Sequence, residues 1–138
     1  MVKMTGLYEG KMRCSLEHAP SQTRINTDAP KDNNGLGQSF SPTDLLGAAL
    51  GSCILTTMAI YIQKNALDID LKGASFSVVK KMQMSPRQVE ELSLEITLPQ
   101  IKNTDEKEKL EQIAHTCPVA RSLNPSVKLP VVFNYTLL

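Results

Sequence analysis

The 138-residue sequence has almost no charge imbalance, with 15 Lys and Arg against 14 Asp and Glu. Chains that hold nucleic acid or an anionic membrane surface by electrostatics carry a basic excess, so those functions are excluded. Cysteine is scarce and odd in number: Cys14, Cys53 and Cys117. That argues against a secreted disulfide framework and for thiols that are buried or reactive. The opening MVKMTGLYEG lacks the apolar region of a secretory signal, and a cytoplasmic location is the expectation. No repeat, low-complexity tract or long linker divides the chain, so a single domain over 1–138 is expected. Disorder is excluded by the 41% hydrophobic and 21% charged composition. Two chemical fingerprints are missing as well. Gly35-Leu36-Gly37 lacks the second half of a phosphate-cradling loop. Cys14, His18, Cys53, His115 and Cys117 show no close zinc-ligand spacing, the pair His115 and Cys117 being the nearest approach. No metal and no cofactor are expected.

What the sequence does have is one long uncharged run, residues 45–63, reading LLGAALGSCILTTMAIYIQ. Its 19 residues reach membrane-spanning length. The run is diluted by Gly47, Gly51, Ser52, Thr56 and Thr57, and amphipathic strand patterns flank it. A helix apolar all round is equally the central helix of a soluble protein, and no membrane span is expected. So short a chain has little material to cover such a helix alone, which points to a homodimer. Ser41-Pro42-Thr43-Asp44 predicts the helix start, with Ser41 as N-cap, Pro42 at N1 and Asp44 at N3 closing a capping box. The helix should run to about Asn65.

Strand patterns surround it. Tyr8, Gly10, Met12, Cys14 and Leu16 alternate with polar residues, predicting one half-buried strand, and residues 24–27 suit a returning strand after the turn at 19–22. Residues 28–38, DAPKDNNGLGQ, read as a loop. Two further strands carry Ala74, Phe76, Val78 and Met82, then Leu92, Leu94, Ile96 and Leu98, with a turn at 85–87. Asn103 begins a second helix with Leu110, Ile113 and Ala114 inward, and Thr116-Cys117-Pro118 begins a third. Alternation from Val127 to Tyr135 predicts a final strand. The order makes the class α+β with a mainly antiparallel sheet.

The three thiols differ in setting. Cys53 shares a helical stripe with Leu46, Ala49, Leu50, Thr57 and Ile60, where a free Cys is commonly an apolar filler. Cys117 precedes Pro118 at a helix start, where free N–H groups stabilise a thiolate. Cys14 shares an apolar strand face with Met12 and Leu16, which suits a core residue.

Two motifs taken together go further. The segment from Gly35 to Cys53, GLGQSFSPTDLLGAALGSC, and the segment His115-Thr116-Cys117-Pro118-Val119 resemble, in order, the central-helix and second-cysteine motifs of the OsmC/Ohr family; Tyr8-Glu9-Gly10 and the basic strand after it are also similar. The resemblance implies an intertwined homodimer, with two long central helices covered by sheets from both chains. It implies thiol-dependent reduction of organic hydroperoxides and, more weakly, hydrogen peroxide. By the same resemblance Cys53 is the peroxidatic thiol, Cys117 the resolving thiol, and a lipoyl-type dithiol or small thiol the reductant. In the hydroperoxide-resistance branch a Glu and an Arg pair beside the peroxidatic thiol. Here Thr43 occupies the Glu position and the acid is Asp44, one residue on, while Arg13, with Arg24 second, is the candidate Arg. One residue turns a helical side chain by about 100°, so Asp44 does not inherit that role directly. The absent Glu keeps a second reading open, a non-catalytic redox sensor or small-ligand binder on the same fold.

Overall fold

The continuous strand predicted from Tyr8 to Leu16 is instead a hairpin. In the computed structural model, which describes residues 1–136, β1 (Met4–Gly10) and β2 (Arg13–His18) are antiparallel, with Tyr8 opposite Cys14. Lys11 and Met12 both take positive φ, 52° and 63°, the geometry of a two-residue hairpin turn that twists with its strands. Neither residue carries the Asn-Gly signature of such a turn, so the alternation ran through it unbroken. Tyr8 Oη accepts a hydrogen bond from the Met12 backbone N–H at 3.2 Å, which helps hold the reversal. The returning strand is where it was expected: β3 (Thr23–Asp28) pairs with β2 in register from Arg13–Asp28 to His18–Thr23.

The chain divides into two units, Met1–Leu46 and Gly47–Leu138. In the first, the sheet β1-β2-β3 gathers Met4, Gly6, Leu16 and Ile25 on one face, where a groove of about 670 Å³ also takes in His18, Ser21 and Thr23. Met4 and Ile25 are exposed. The loop after β3 forms one short 3₁₀ turn, Lys31–Asn33, then folds back so that Asp28 N–H donates to the Phe40 carbonyl.

Helix α1 (Pro42–Lys64) opens as its sequence predicts. Ser41 Oγ accepts from Asp44 N–H at 3.1 Å and Asp44 Oδ2 accepts from Ser41 N–H at 2.8 Å, a reciprocal capping box. By length and composition alone the helix is apolar enough to cross a membrane.

In the second unit β4 (Ser75–Met84) and β5 (Arg87–Leu98) are antiparallel, and β6 (Val131–Tyr135) lies parallel to β5. Parallel neighbours need a crossover, and α2 (Thr104–Ala114) and α3 (Pro118–Ser122) supply it. The final strand is shorter than its alternation suggests. Lys128 already bridges to Glu91, but Pro130 has no N–H to continue the ladder. The core is the inner face of β5, Leu92, Leu94, Ile96 and Leu98, none more than 1% exposed.

Helix α1 presses on this sheet through its glycines. A Cβ at Gly47 would stand 3.2 Å from Val78 Cγ1, and one at Gly51 would run into the Phe76 ring. The buried side of α1 is accordingly Gly47, Leu50, Gly51, Ile54, Met58 and Ile62. We expect Gly51→Ala to destabilise the fold by about 1–3 kcal/mol, the usual cost of overpacking. Denaturant melts check this, and combining it with Phe76→Val should recover most of the loss if the ring is the cause.

Candidate active site

Cys53 sits two residues beyond Gly51, about 200° round the helix. With Gly51 against the sheet, Cys53 falls on the side of α1 nearly opposite that contact, and it is half-buried. The stripe expected around it does not form the buried face: Ala49 and Ile60 are exposed, and of that set only Leu50 is buried. The reason is steric. The sheet approaches where the side chains are smallest, and the two glycines lie on a different side of the helix from the predicted stripe.

Cys117 is wholly buried, at 0% exposure. It is the N-cap of α3, as the Cys-Pro pair suggests, with Pro118 at the helix start. Its Sγ accepts a hydrogen bond from Ala120 N–H at 3.3 Å, and its carbonyl accepts from Arg121 N–H at 3.1 Å. The two motif thiols are near enough to interact. Burial pushes the Cys117 thiol above its ordinary range; the backbone N–H groups of Ala120 and Val119 pull the other way, and Cys53 contributes to the rise.

Beside the pair, exposed His115 meets Phe133 edge-on at 6.4 Å between ring centres. Both line an open cleft of about 430 Å³ with Glu108, Glu111, Gln112 and Val131. On β6, Tyr135 Oη donates to Glu111 of α2 at 2.6 Å, and Lys107 of α2 lies 4.1 Å from the centre of the Tyr135 ring. Burial and the Glu111 carboxylate push the Tyr135 phenol up, so it stays protonated as that donor.

Arg13 is engaged within the first unit. Its guanidinium donates to Gln38 Oε1 at 2.6 Å and stands 3.7 Å from Asp28 Oδ2. Asp28 is wholly buried; its Oδ2 also accepts from Gln38 N–H at 2.9 Å, while Oδ1 has no hydrogen-bond partner. The arrangement pins the loop after β3 to the sheet, and Arg13 forms one wall of a polar recess of about 230 Å³ with Glu9, Asn26 and Gln38. Arg24, itself exposed, is paired elsewhere, with half-buried Glu17 at 2.7 Å. Asp44 is turned back onto the Ser41 N–H as a cap. Cys14 stands between Tyr8 and Thr27 on the apolar sheet face, half-buried. Sequence reasoning missed Asp28 and Gln38. Asp28 reads as the first residue of a polar loop, and its one usable signal is that it pairs with Arg13 once the hairpin register is known. Among the described residues no three His, Cys, Asp or Glu side chains are grouped to hold a metal ion.

The family model described as OsmC-like protein matches residues 35–131, a stretch that holds both motif thiols. A solved structure from Psychrobacter arcticus 273-4, named as a candidate osmotic stress induced and detoxification response protein, is 38% identical. The match covers 97% of this chain and 96% of that one, with a TM-score of 0.90. An organic hydroperoxide resistance protein OsmC from Legionella pneumophila is 16% identical over 97% of this chain and 96% of that one, with a TM-score of 0.73. The organic hydroperoxide resistance protein OhrB of Bacillus subtilis is 14% identical over 97% and 98%, with a TM-score of 0.68. At such identities the last two share the fold. No curated protein matches.

The unequal settings of the thiols have a direct chemical consequence, because alkylation needs an accessible thiolate. We expect iodoacetamide to modify Cys53 well before Cys117 in the folded, reduced protein. The pKa of Cys117 is raised, so its protonated form is favoured on folding and its reaction should become appreciable only at pH above the ordinary thiol range. Peptide mapping of a time course at two pH values checks both points.

Proposed function

The chain belongs to the OsmC-like protein family, and on that premise we propose that it is a thiol-dependent peroxidase. It reduces organic hydroperoxides, and hydrogen peroxide more weakly, through a Cys53–Cys117 dithiol–disulfide cycle. The observation that carries this reading is the interaction between a half-buried thiol and a buried one on different helices. The hydroperoxide resistance named for the Legionella and Bacillus proteins agrees with it.

The chemistry balances in three steps. The Cys53 thiolate attacks the outer peroxide oxygen; the O–O bond breaks, Cys53 becomes a sulfenic acid, and the alkoxide takes a proton to leave as the alcohol. The Cys117 sulfur displaces hydroxide from the sulfenic sulfur, forming the disulfide and, with the Cys117 proton, water. A dithiol, lipoyl-type or small, then reduces the disulfide by exchange and is itself oxidised to a disulfide. Cys53 attacks because peroxide can reach it, and Cys117 resolves because it is buried against Cys53. Arg13, held by Asp28 and Gln38, is the residue we carry over as the candidate for the family's Arg. Asp44 contributes by fixing the start of the helix that carries Cys53.

The active form is a homodimer in the cytoplasm, where thiols are kept reduced. Its support is apolar surface left uncovered: the groove of Met4, Leu16 and Ile25, and the outer side of α1 with Ala59 and Ile60 exposed. The two units together make one OsmC-like domain. The second reading, a redox sensor that forms the disulfide without turning over, is favoured by Thr43, which puts no carboxylate where the hydroperoxide-resistance branch has its Glu.

Steady-state consumption of cumene hydroperoxide with dihydrolipoamide as reductant separates the two. We expect turnover in the wild type and its loss, by a factor of about 10³ or more, in Cys53→Ser, as for removal of other catalytic nucleophiles. Cys117→Ser should react once and stall, and Cys14→Ser should match the wild type. A stoichiometric single reaction by the wild type would favour the sensor. Sedimentation equilibrium at micromolar concentration should give the mass of two chains.

A further inference from the structure

Helix α3 is only five residues long, Pro118–Ser122, and its N-terminus rests on one sulfur atom. Of its first backbone groups, Pro118 has no N–H to satisfy. Ala120 N–H donates to Cys117 Sγ at 3.3 Å, and the Val119 N–H also favours the charged form of that thiol. At its ends the helix is held by Arg121 N–H to the Cys117 carbonyl at 3.1 Å, Leu123 N–H to the Ala120 carbonyl at 3.4 Å, and Ser122 Oγ to the Pro118 carbonyl at 2.8 Å. So short a helix depends on its cap.

The same sulfur is the one that interacts with Cys53. We propose that oxidation of the Cys53–Cys117 pair uncaps α3, so that this segment loosens in the disulfide state and closes in the dithiol state. The inference rests on the thiol pairing of the proposed function but not on peroxidase turnover. In the reduced protein Cys117 Sγ is free to face the α3 N–H groups. In the disulfide it is bonded at about 2.05 Å to Cys53 Sγ with a fixed torsion, which dictates where its lone pairs point. The sulfur is an uncharged, weak acceptor in both forms, so the cap depends on where it points, and the disulfide torsion turns it away from Ala120.

The consequence bears on recycling. Cys117 is wholly buried, so a dithiol reductant cannot reach that sulfur while α3 is closed. Loosening of 118–122 uncovers it only when there is a disulfide to reduce. The reductant would then meet an open surface in the oxidised protein and a closed one in the reduced protein, and the product would be released as the cap re-forms.

Amide hydrogen exchange on the full-length protein tests this. The disulfide is made with diamide, whose azo group takes up the two electrons and two protons released by the thiols to become the hydrazine, so no peroxide chemistry is needed. Intact mass, 2 Da lower, confirms the disulfide. The expected result is exchange at Val119 and Ala120 about tenfold faster in the disulfide form, reversed by dihydrolipoamide, an effect of the size of one lost N-cap. Cys117→Ala should exchange fast without any oxidant, and Cys117→Ser, whose hydroxyl also caps, should stay slow with or without diamide. Unchanged exchange in a fully formed Cys53–Cys117 disulfide overturns the inference and leaves the peroxidase reading standing. Failure of diamide to link the two thiols overturns the inference together with the pairing beneath it.

Discussion

Everything at the thiol pair depends on how closely helix α1 lies on strand β4. Gly47 and Gly51 remove the two side chains that would hold helix and sheet apart, and Val78 and Phe76 fill the space. That contact fixes the rotation of the helix about its axis. Once Gly51 faces Phe76, Cys53 is carried nearly to the opposite side of the helix, where it is half-buried. The crossover through α2 and α3, required by the parallel β5–β6 pair, brings Cys117 back to the same place.

The pair is asymmetric for reasons that are physical rather than positional. Both residues are free thiols, and each is on a helix, but one is at the middle of a long helix and the other caps a short one. Burial raises the cost of a thiolate at Cys117 more than the N–H groups of Ala120 and Val119 offset it. A helix start alone would suggest that Cys117 is the reactive thiol. The wholly buried position weighs against that preference, because burial favours the protonated thiol at Cys117.

Much of this was legible before any coordinates. The capping box at Ser41 and Asp44, the Cys-Pro start of α3 and the turn between β4 and β5 are local, and local chemistry sets them. The two cysteine motifs, read together, pointed to the family and so to the pairing. What was hidden is what depends on residues distant in the chain. The hairpin at Lys11-Met12 uses residues with no turn signature, so period-two alternation was read as one strand. The buried side of α1 followed from Phe76 and Val78, not from the helix's own pattern, and so the stripe around Cys53 was misplaced. Asp28 looks like a loop residue until the β2–β3 register sets it opposite Arg13, where it is buried and holds Gln38.

The central claim is that Cys53 and Cys117 form one redox couple that hydroperoxide closes. Its most direct test is peptide mapping by mass spectrometry of the reduced protein after one equivalent of cumene hydroperoxide per chain, with free thiols blocked at quench. The account predicts one intramolecular Cys53–Cys117 disulfide per hydroperoxide consumed, with Cys14 recovered as the blocked thiol. Recovery of Cys53 and Cys117 as blocked free thiols, or a disulfide that includes Cys14, would contradict it.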